Sequence, residues 1–369
     1  GSADRSVEIC EKFAAKDKRI NLLHKENGGL VSARKAGAAI ANGKFLSFVD
    51  GDDWVLPQHF SNMYNSMQPS TDLVISSFRR DFLGKRKIVK NYFSEGNYSK
   101  KELQKEIFPK SIYNGIFFQH GLSTYVWNKL FRTEKALKYL ELIDNRIIMG
   151  EDSCLTYPYL LECNNVVITN SSNYIYRQRA DSIIKSVPSV EEEYQRLSIM
   201  FQQLIESLGS FVNEFELVNQ IKHYFYSLLI TRSGAFLGNP NKSDFYFPFS
   251  KVIRGCKVVI YSSGSFGQHI YTNICNSELF EIVGWIDEDY SESVKTGLPV
   301  TKLDALKETN FDYILVASVD SEYTKMIIKK LNGIGVDEEK ISTVKLEVKK
   351  LESSLESMGF GIASFDYKS

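Results

Sequence analysis

Asp50, Asp52 and Asp53 place three carboxylates within four positions, directly after the apolar run FLSFV (Phe45 to Val49). Like charges this close repel, so the arrangement costs stability unless a cation or hydrogen-bond donors neutralise it. A carboxylate pair at the end of a strand suits Mg²⁺ or Mn²⁺, hard cations that take oxygen ligands and bridge to substrate phosphates. The plain alternative is a solvated turn in which Asp52 or Asp53 caps the next helix. Two further stretches offer matching chemistry. In HKENGGLVSARKAG (His24 to Gly37) a glycine-rich helix start exposes amide donors to an anion, and Arg34 adds a cation. In Gly150-Glu151-Asp152 either acid can serve a helix dipole, or, within a cleft, one can act as a general base.

The elements that must hold these residues alternate between helical and strand patterns. A helix capped from Ser2-Ala3-Asp4 carries Ile9 and Phe13 on one face, INLLH (Ile20 to His24) reads as a strand, and GLVSARKAGAAIA as an alanine-rich helix. FLSFV is then a strand, a helix follows Pro57, and LVISSF (Leu73 to Phe78) is the next strand. This alternation predicts an α/β fold with right-handed crossovers and a mostly parallel sheet, with ligands beyond the carboxyl ends of its strands. WNKLFR (Trp127 to Arg132) is expected to open a helix, GEDSCLTYPYLLE to form another, and VVIT and YIYRQR to be strands. Residues 188–250 read as a helical connector, 251–345 as a second α/β unit, and 346–369 as a charged, weakly periodic tail.

Bulk composition narrows the partners. The 369 residues are too many for one ordinary core, and 43% hydrophobic with 24% charged content describes a globular protein. With 45 basic and 45 acidic residues the net charge is zero, which gives no reason to expect nucleic acid. The five cysteines form no CxxC pair, so neither a zinc site nor a disulfide framework is indicated. No apolar run approaches the roughly 18 residues of a spanning helix. The expected compartment is the cytoplasm, with a peripheral contact at the inner face of a membrane compatible with the pattern.

GSADRSVEICEKFA, HKENGGLVSARKAG, FLSFVDGDDW, WNKLFR, IIMGEDSCLTYPYL and YIYRQRADSI, in this order and at these spacings, resemble family 2 glycosyltransferases. The resemblance spans residues 1–187 and implies a nucleotide-diphospho-sugar transferase (GT-A) fold. It makes Asp50-Gly51-Asp52 the DxD motif, with Asp52 as chief metal ligand and Asp50 on the metal or the donor ribose. Asp53 would support the donor site, and Arg34 would lie near the nucleotide. Asp152 would be the catalytic base, with Glu151 beside it, and Arg177 and Arg179 would approach the diphosphate. Lys35 stands where the family often has Asn, and Gly1-Ser2 align with the middle of a motif usually preceded by two aspartates and a first strand. The resemblance therefore implies a domain lacking its first strand.

The implied activity is metal-dependent, inverting transfer from a nucleotide-diphospho-sugar, UDP being the family's usual nucleotide, to a glycan or lipid-linked acceptor in surface polysaccharide synthesis. The alternative is a non-catalytic nucleotide-binding or assembly protein with a vestigial transferase domain.

In the second unit KVVIYSSGSFGQHI resembles the strand, turn and helix of a Rossmann-like dinucleotide-binding domain. Ser262 takes the first glycine position, while Gly264 and Gly267 keep the other two. Asp287 falls where a ribose-binding acid is expected. Neither a YxxxK sequence nor a reactive Cys–His pair follows, so the expectation is a nucleotide-binding or regulatory role rather than independent redox chemistry. A scaffold that binds nothing, or an epimerase or reductase, are the competing readings.

Overall fold

The computed structural model describes residues 1–82, 84–178, 189–233, 237, 245–249, 251–288 and 297–360. Arg179, most of NPNKSDFYFP and the end of the tail lie outside the described residues. Contacts divide the chain into two compact units. Gly1–Gly115, His120–Arg177 and Arg196–Ile221 form the first, and Ile116–Gln119, Gln178–Gln195 and Lys222–Ser369 the second. Among the described residues no helix is long and apolar enough to cross a membrane.

The first unit begins with α1 (Ser6–Ala14), α2 (Gly29–Ala39), β1 (Phe45–Leu46), β2 (Trp54–Val55), α3 (His59–Asn65) and β3 (Leu73–Ser76). It continues through β4 (Phe78–Phe82), β5 (Lys85–Val89), β6 (Gly96–Ser99) and a helical turn, α4 (Lys100–Glu102). After β7 (Lys129–Arg132) come α5 (Thr133–Leu142), α6 (Glu151–Leu161), β8 (Asn165–Thr169) and β9 (Tyr174–Gln178). One sheet has the order β1-β7-β3-β8-β6 and a second the order β2-β9-β4-β5. β3 sits centrally, and its LVIS residues are all buried, as a β-branched run covered on both faces should be. Met63, Val74, Leu130 and Val167 pack together beside it.

Several sequence expectations are corrected here. The first sheet is not mostly parallel: β3 runs parallel to β8, but β1–β7, β3–β7 and β6–β8 are antiparallel. Alternating elements do not fix direction where the connection is long, and the stretch between α4 and β7 lets the chain enter from the other side. WNKLFR does not open a helix. Its Lys129–Arg132 form β7, because Leu130 and Phe131 pair with β3 and fill the core, and the helix starts only at Thr133. FLSFV contributes just two residues to an edge strand. INLLH forms no strand, since no neighbour among the described residues supplies a hydrogen-bonded ladder, and Ile20, Leu22 and Leu23 stay exposed. α1 forms with Asp4 accepting the Ser6 N–H at 3.0 Å, yet it buries no residue, and Ile9 and Phe13 face solvent.

The helical stretch after residue 188 comprises α7 (Val190–Leu208) and α8 (Leu217–Ser233), and the division between the units falls inside both. The second unit then builds β10 (Lys257–Tyr261), α9 (Ser265–Ser277), β11 (Glu281–Ile286), β12 (Tyr313–Val316), α10 (Ser321–Gly333), β13 (Ile341–Thr343) and α11 (Val348–Ser357). Its four-stranded sheet has the order β11-β10-β12-β13 and parallel pairings throughout. Val259, Tyr261, Ile314 and Val316 are fully buried at its centre. Within the tail, Val348–Ser357 form a helix because Leu351 and Leu355, four residues apart, bury one face of α11.

Candidate active site

Gly150 adopts a left-handed conformation (φ 79°), which turns the chain sharply into α6 and sets Glu151 and Asp152 in its first turn. α2 starts at Gly29, also left-handed (φ 82°), and carries Arg34 on its second turn. These two helices and the loop after β1 converge on one ion cluster. Arg34 Nη2 donates to Asp50 Oδ1 at 3.1 Å, and Nη1 donates to Glu151 Oε1 at 2.9 Å and to Asp152 Oδ1. The guanidinium side chain is only 9% exposed and also lies over the Phe48 ring, 5.8 Å from its centroid.

Electrostatics follow from that burial. Desolvation works against the Arg34 charge, but Asp152, Asp50 and Glu151 outweigh it and raise the guanidinium pKa. Burial is the largest influence on Asp50 and raises its pKa against the pull of Arg34, with Asp152 and Asp52 adding repulsion. Asp152 is driven well above the usual aspartate range, again by burial first; Glu151 repels it further, and Arg34 only partly compensates. Its second oxygen, Oδ2, accepts the Val126 N–H at 3.3 Å.

The three aspartates after β1 have separate surroundings. Asp53 is committed to the protein: Oδ2 accepts from the Tyr174 hydroxyl at 2.7 Å and Oδ1 from the Arg177 N–H at 2.8 Å. Burial raises the Asp53 pKa, while those two bonds favour the ionised form. Asp52 is exposed and makes no hydrogen bond or ion pair with the described residues. Asp50 spends one carboxylate oxygen on Arg34 and its N–H on the Tyr174 oxygen, at 3.1 Å.

The structure thus gathers Asp50, Glu151 and Asp152 around Arg34, each bound to its guanidinium, with Asp52 and Asp53 on the adjoining loop. Arg177 adjoins Asp53 through its backbone and sets its guanidinium 5.1 Å from the centre of the Trp54 ring. Arg179 lies outside the described residues. No group of three or more acidic, histidine or cysteine side chains able to hold a metal occurs among the described residues. Asp52 and Asp50 nevertheless fit a hard cation by chemistry, because Mg²⁺ is commonly held by one or two carboxylates plus substrate phosphates.

Residue-by-residue reading missed two contributors. Tyr174 ties Asp50 to Asp53 and is fully buried, stacked 4.2 Å from Trp127 at 12°. Lys129, inside WNKLFR, is also fully buried and sits next to the loop that reaches Asp152. A charged residue within an apolar strand is a signal the sequence did contain.

In the second unit, order reverses at β10, where β11 lies on one side and β12 on the other. Gly264 immediately precedes α9, and Gly267 passes so close to the Ser262 carbonyl that a Cβ would sit 2.1 Å from it. Ser262, in the first glycine position, has φ 93°. Asp287 turns inward: its Oδ2 accepts from the Ser263 N–H at 2.6 Å and from Ser263 Oγ at 2.8 Å.

Comparison with known proteins gives a likeness for part of each unit. Residues 1–134 match the family described as glycosyl transferase family 2, and the described elements of this region are mixed α/β. Residues 255–342 match a different domain, described as C2185-like, N-terminal, so a Rossmann-like nucleotide-binding family is not what this region matches. The chain is 32% identical over 200 residues to the uncharacterized glycosyltransferase EpsJ of Bacillus subtilis, covering 53% of this chain and 56% of the relative. It is 29% identical over 230 residues to the cholesterol galactosyltransferase of Borreliella burgdorferi, covering 61% and 62%. The chain thus spans little more than half the length of these curated relatives. Among solved structures, S. aureus TarS 1–349 in complex with UDP aligns with a TM-score of 0.38 and 18% identity, over 65% of this chain and 83% of that one.

Proposed function

We propose that the first unit transfers a glycosyl group from a nucleotide-diphospho-sugar, with UDP as nucleotide, to a hydroxyl of a glycan or lipid-linked acceptor, inverting the anomeric configuration. One observation carries the reading: α6 and the β1 loop, about a hundred residues apart, bring Asp152, Glu151 and Asp50 onto the single buried guanidinium of Arg34. A carboxylate whose burial raises its pKa is a better base near neutral pH. Asp152 takes the proton of the acceptor hydroxyl as that oxygen attacks the anomeric carbon. Arg34 and the Val126 N–H fix the direction in which its lone pairs point. Arg177, whose N–H binds Asp53, and Arg179, which lies outside the described residues, are proposed as the cations that meet the donor diphosphate.

Asp52 and Asp50 would hold Mg²⁺ or Mn²⁺. When bound, that ion neutralises charge on the departing nucleoside diphosphate. Asp53 keeps the loop in register through Tyr174 and the Arg177 N–H.

Donor hydrolysis across a panel of UDP-, GDP- and CDP-sugars with Mn²⁺ tests the reading, with Asp52→Ala and Asp152→Ala alongside. Turnover of one donor, lost in Asp52→Ala and reduced in Asp152→Ala, supports it. Silence from a folded, full-length protein across the panel favours the non-catalytic alternative.

For the second unit, the reversal of strand order at β10, with Gly264 just before α9, supports nucleotide binding near Gly264 and Gly267. The engagement of Asp287 with Ser263 removes the acid from its expected ribose role unless that bond opens. Isothermal titration with NAD, ATP and UDP-glucose decides it: heat from none of them ends the proposal.

A further inference from the structure

Lysine is almost never fully buried unless its charge is paired. Lys129 is 0% exposed, yet among the described residues no carboxylate lies within ion-pair distance. Its ammonium instead spends three protons on a single turn of chain: Ser123 O at 2.7 Å, Tyr125 O at 2.6 Å and Asn128 Oδ1 at 3.0 Å. Asn128 in turn donates to Ser76 O at 2.8 Å and to Ser123 Oγ at 3.1 Å, which fastens the same turn to β3. From the other side α6 holds it, with Thr156 Oγ1 donating to Thr124 O at 2.7 Å and the Tyr157 hydroxyl to Leu122 O at 3.2 Å. The turn has one polar output toward the cluster described above. With its carbonyls drawn to Lys129, the Val126 N–H points to Asp152 Oδ2 at 3.3 Å.

We propose that Lys129 is a positioning residue for Asp152: it clamps residues 123–128 so that the Val126 N–H is delivered to the carboxylate, and its own charge acts on that carboxylate through the loop. This rests on the assignment of Asp152 as the base. A purely structural peg needs no charge, and an apolar side chain would fill the space without the cost of burying an ammonium. That cost is visible, since burial pushes the Lys129 pKa down to about 7 and Asp152 is the charge that opposes the shift. The charged groups facing Asp152 are Arg34 on α2, Glu151 on α6, Asp50 after β1 and Lys129 on β7.

The test needs no substrate. Carbon-13 NMR of the aspartate carboxyls, with Asp152 assigned from the resonance lost in Asp152→Asn, follows its titration in the wild type, in Lys129→Met and in Lys129→Gln. Losing a nearby cation and a donor to the ionised form should raise the Asp152 midpoint by about one pH unit in Lys129→Met. Lys129→Gln keeps amide donors, folds more readily and should give a smaller rise in the same direction. A midpoint equal to the wild type in either folded variant overturns the proposal, because a merely structural lysine would lower stability without moving it. Failure of the donor panel with the midpoint shifted would instead remove the glycosyl-transfer reading and leave the clamp standing.

Discussion

The Tyr174 hydroxyl donates to Asp53 Oδ2 at 2.7 Å while its oxygen accepts the Asp50 N–H at 3.1 Å. One buried phenol on β9 thereby locks both ends of the Asp50–Asp53 loop, and the loop's geometry depends on a residue 121 positions away. Tyr174→Phe keeps the ring stack and removes only the hydroxyl. It should cost about 1–3 kcal/mol of stability, the usual range when a partly buried group loses its partner. Turnover should fall with it, mainly through weaker donor binding. Urea denaturation with parallel donor-binding measurements checks both; unchanged binding would show that the loop is held by other means.

Arg34 binds three carboxylates at once, so its removal should be among the most damaging single changes in the first unit. Breaking a buried pair leaves an uncompensated charge and costs about 3–5 kcal/mol. Arg34→Met should approach that loss, and Arg34→Lys should recover part of it, because an ammonium restores charge but not the two-pronged fork. The midpoint of chemical denaturation at pH 7 reads the difference. Equal destabilisation by both variants would mean that fork geometry is everything and charge nothing.

Asp152 should show a conflict between activity and stability. Its folded pKa is raised above the unfolded value, so the folded state binds more protons, and the group's contribution to stability falls as pH rises from the unfolded pKa through the folded one. Asp152→Asn removes that penalty at pH 8 and should stabilise the protein there by at least about 1 kcal/mol, the equivalent of a shift near one unit. Loss of the proposed base should cut the proposed glycosyl transfer by about 10²–10⁴-fold. Calorimetry at pH 5 and pH 8 separates the effects: the gain should be larger at pH 8.

His59 carries the opposite sign. It is fully buried at the start of α3, edge-on to Tyr174 at 5.7 Å, and neither ring nitrogen has a hydrogen-bond partner among the described residues. Burial lowers its pKa to about 4, so the folded protein holds it neutral. An unfolded histidine takes up a proton near its ordinary value of 6.5, so stability declines as pH falls from there toward 4. His59→Phe should flatten that part of the stability profile. A profile identical to the wild type would place the acid sensitivity elsewhere.

Much of the candidate site is legible in the sequence. Asp50, Asp52, Asp53, Glu151 and Asp152 stand in short, recognisable strings, and Gly150 before two acids marks a helix start. What the strings could not say is which carboxylate faces which partner. Arg34 reads as a nucleotide contact, but in the fold its guanidinium is enclosed by Asp50, Glu151 and Asp152. WNKLFR reads as a helix because Lys129 and Arg132 interrupt the apolar run. Burial of Lys129 against backbone carbonyls, a contact made only after folding, turns it into a strand end.

By itself the sequence determined the local and compositional facts: two α/β regions joined by helices, the acidic loop after β1, and the acidic first turn of α6. These depend on residue types and on spacings of a few positions, where hydrophobic period, backbone preference and charge repulsion act directly. The tertiary structure alone decided strand direction in the first sheet, the partition of the aspartates into Asp53, committed to the protein, Asp52, exposed, and Asp50, bound to Arg34, and the inward turn of Asp287 toward Ser263. The contacts among these join residues 16 to 121 positions apart, and their energy exists only once the chain has brought them together and excluded water.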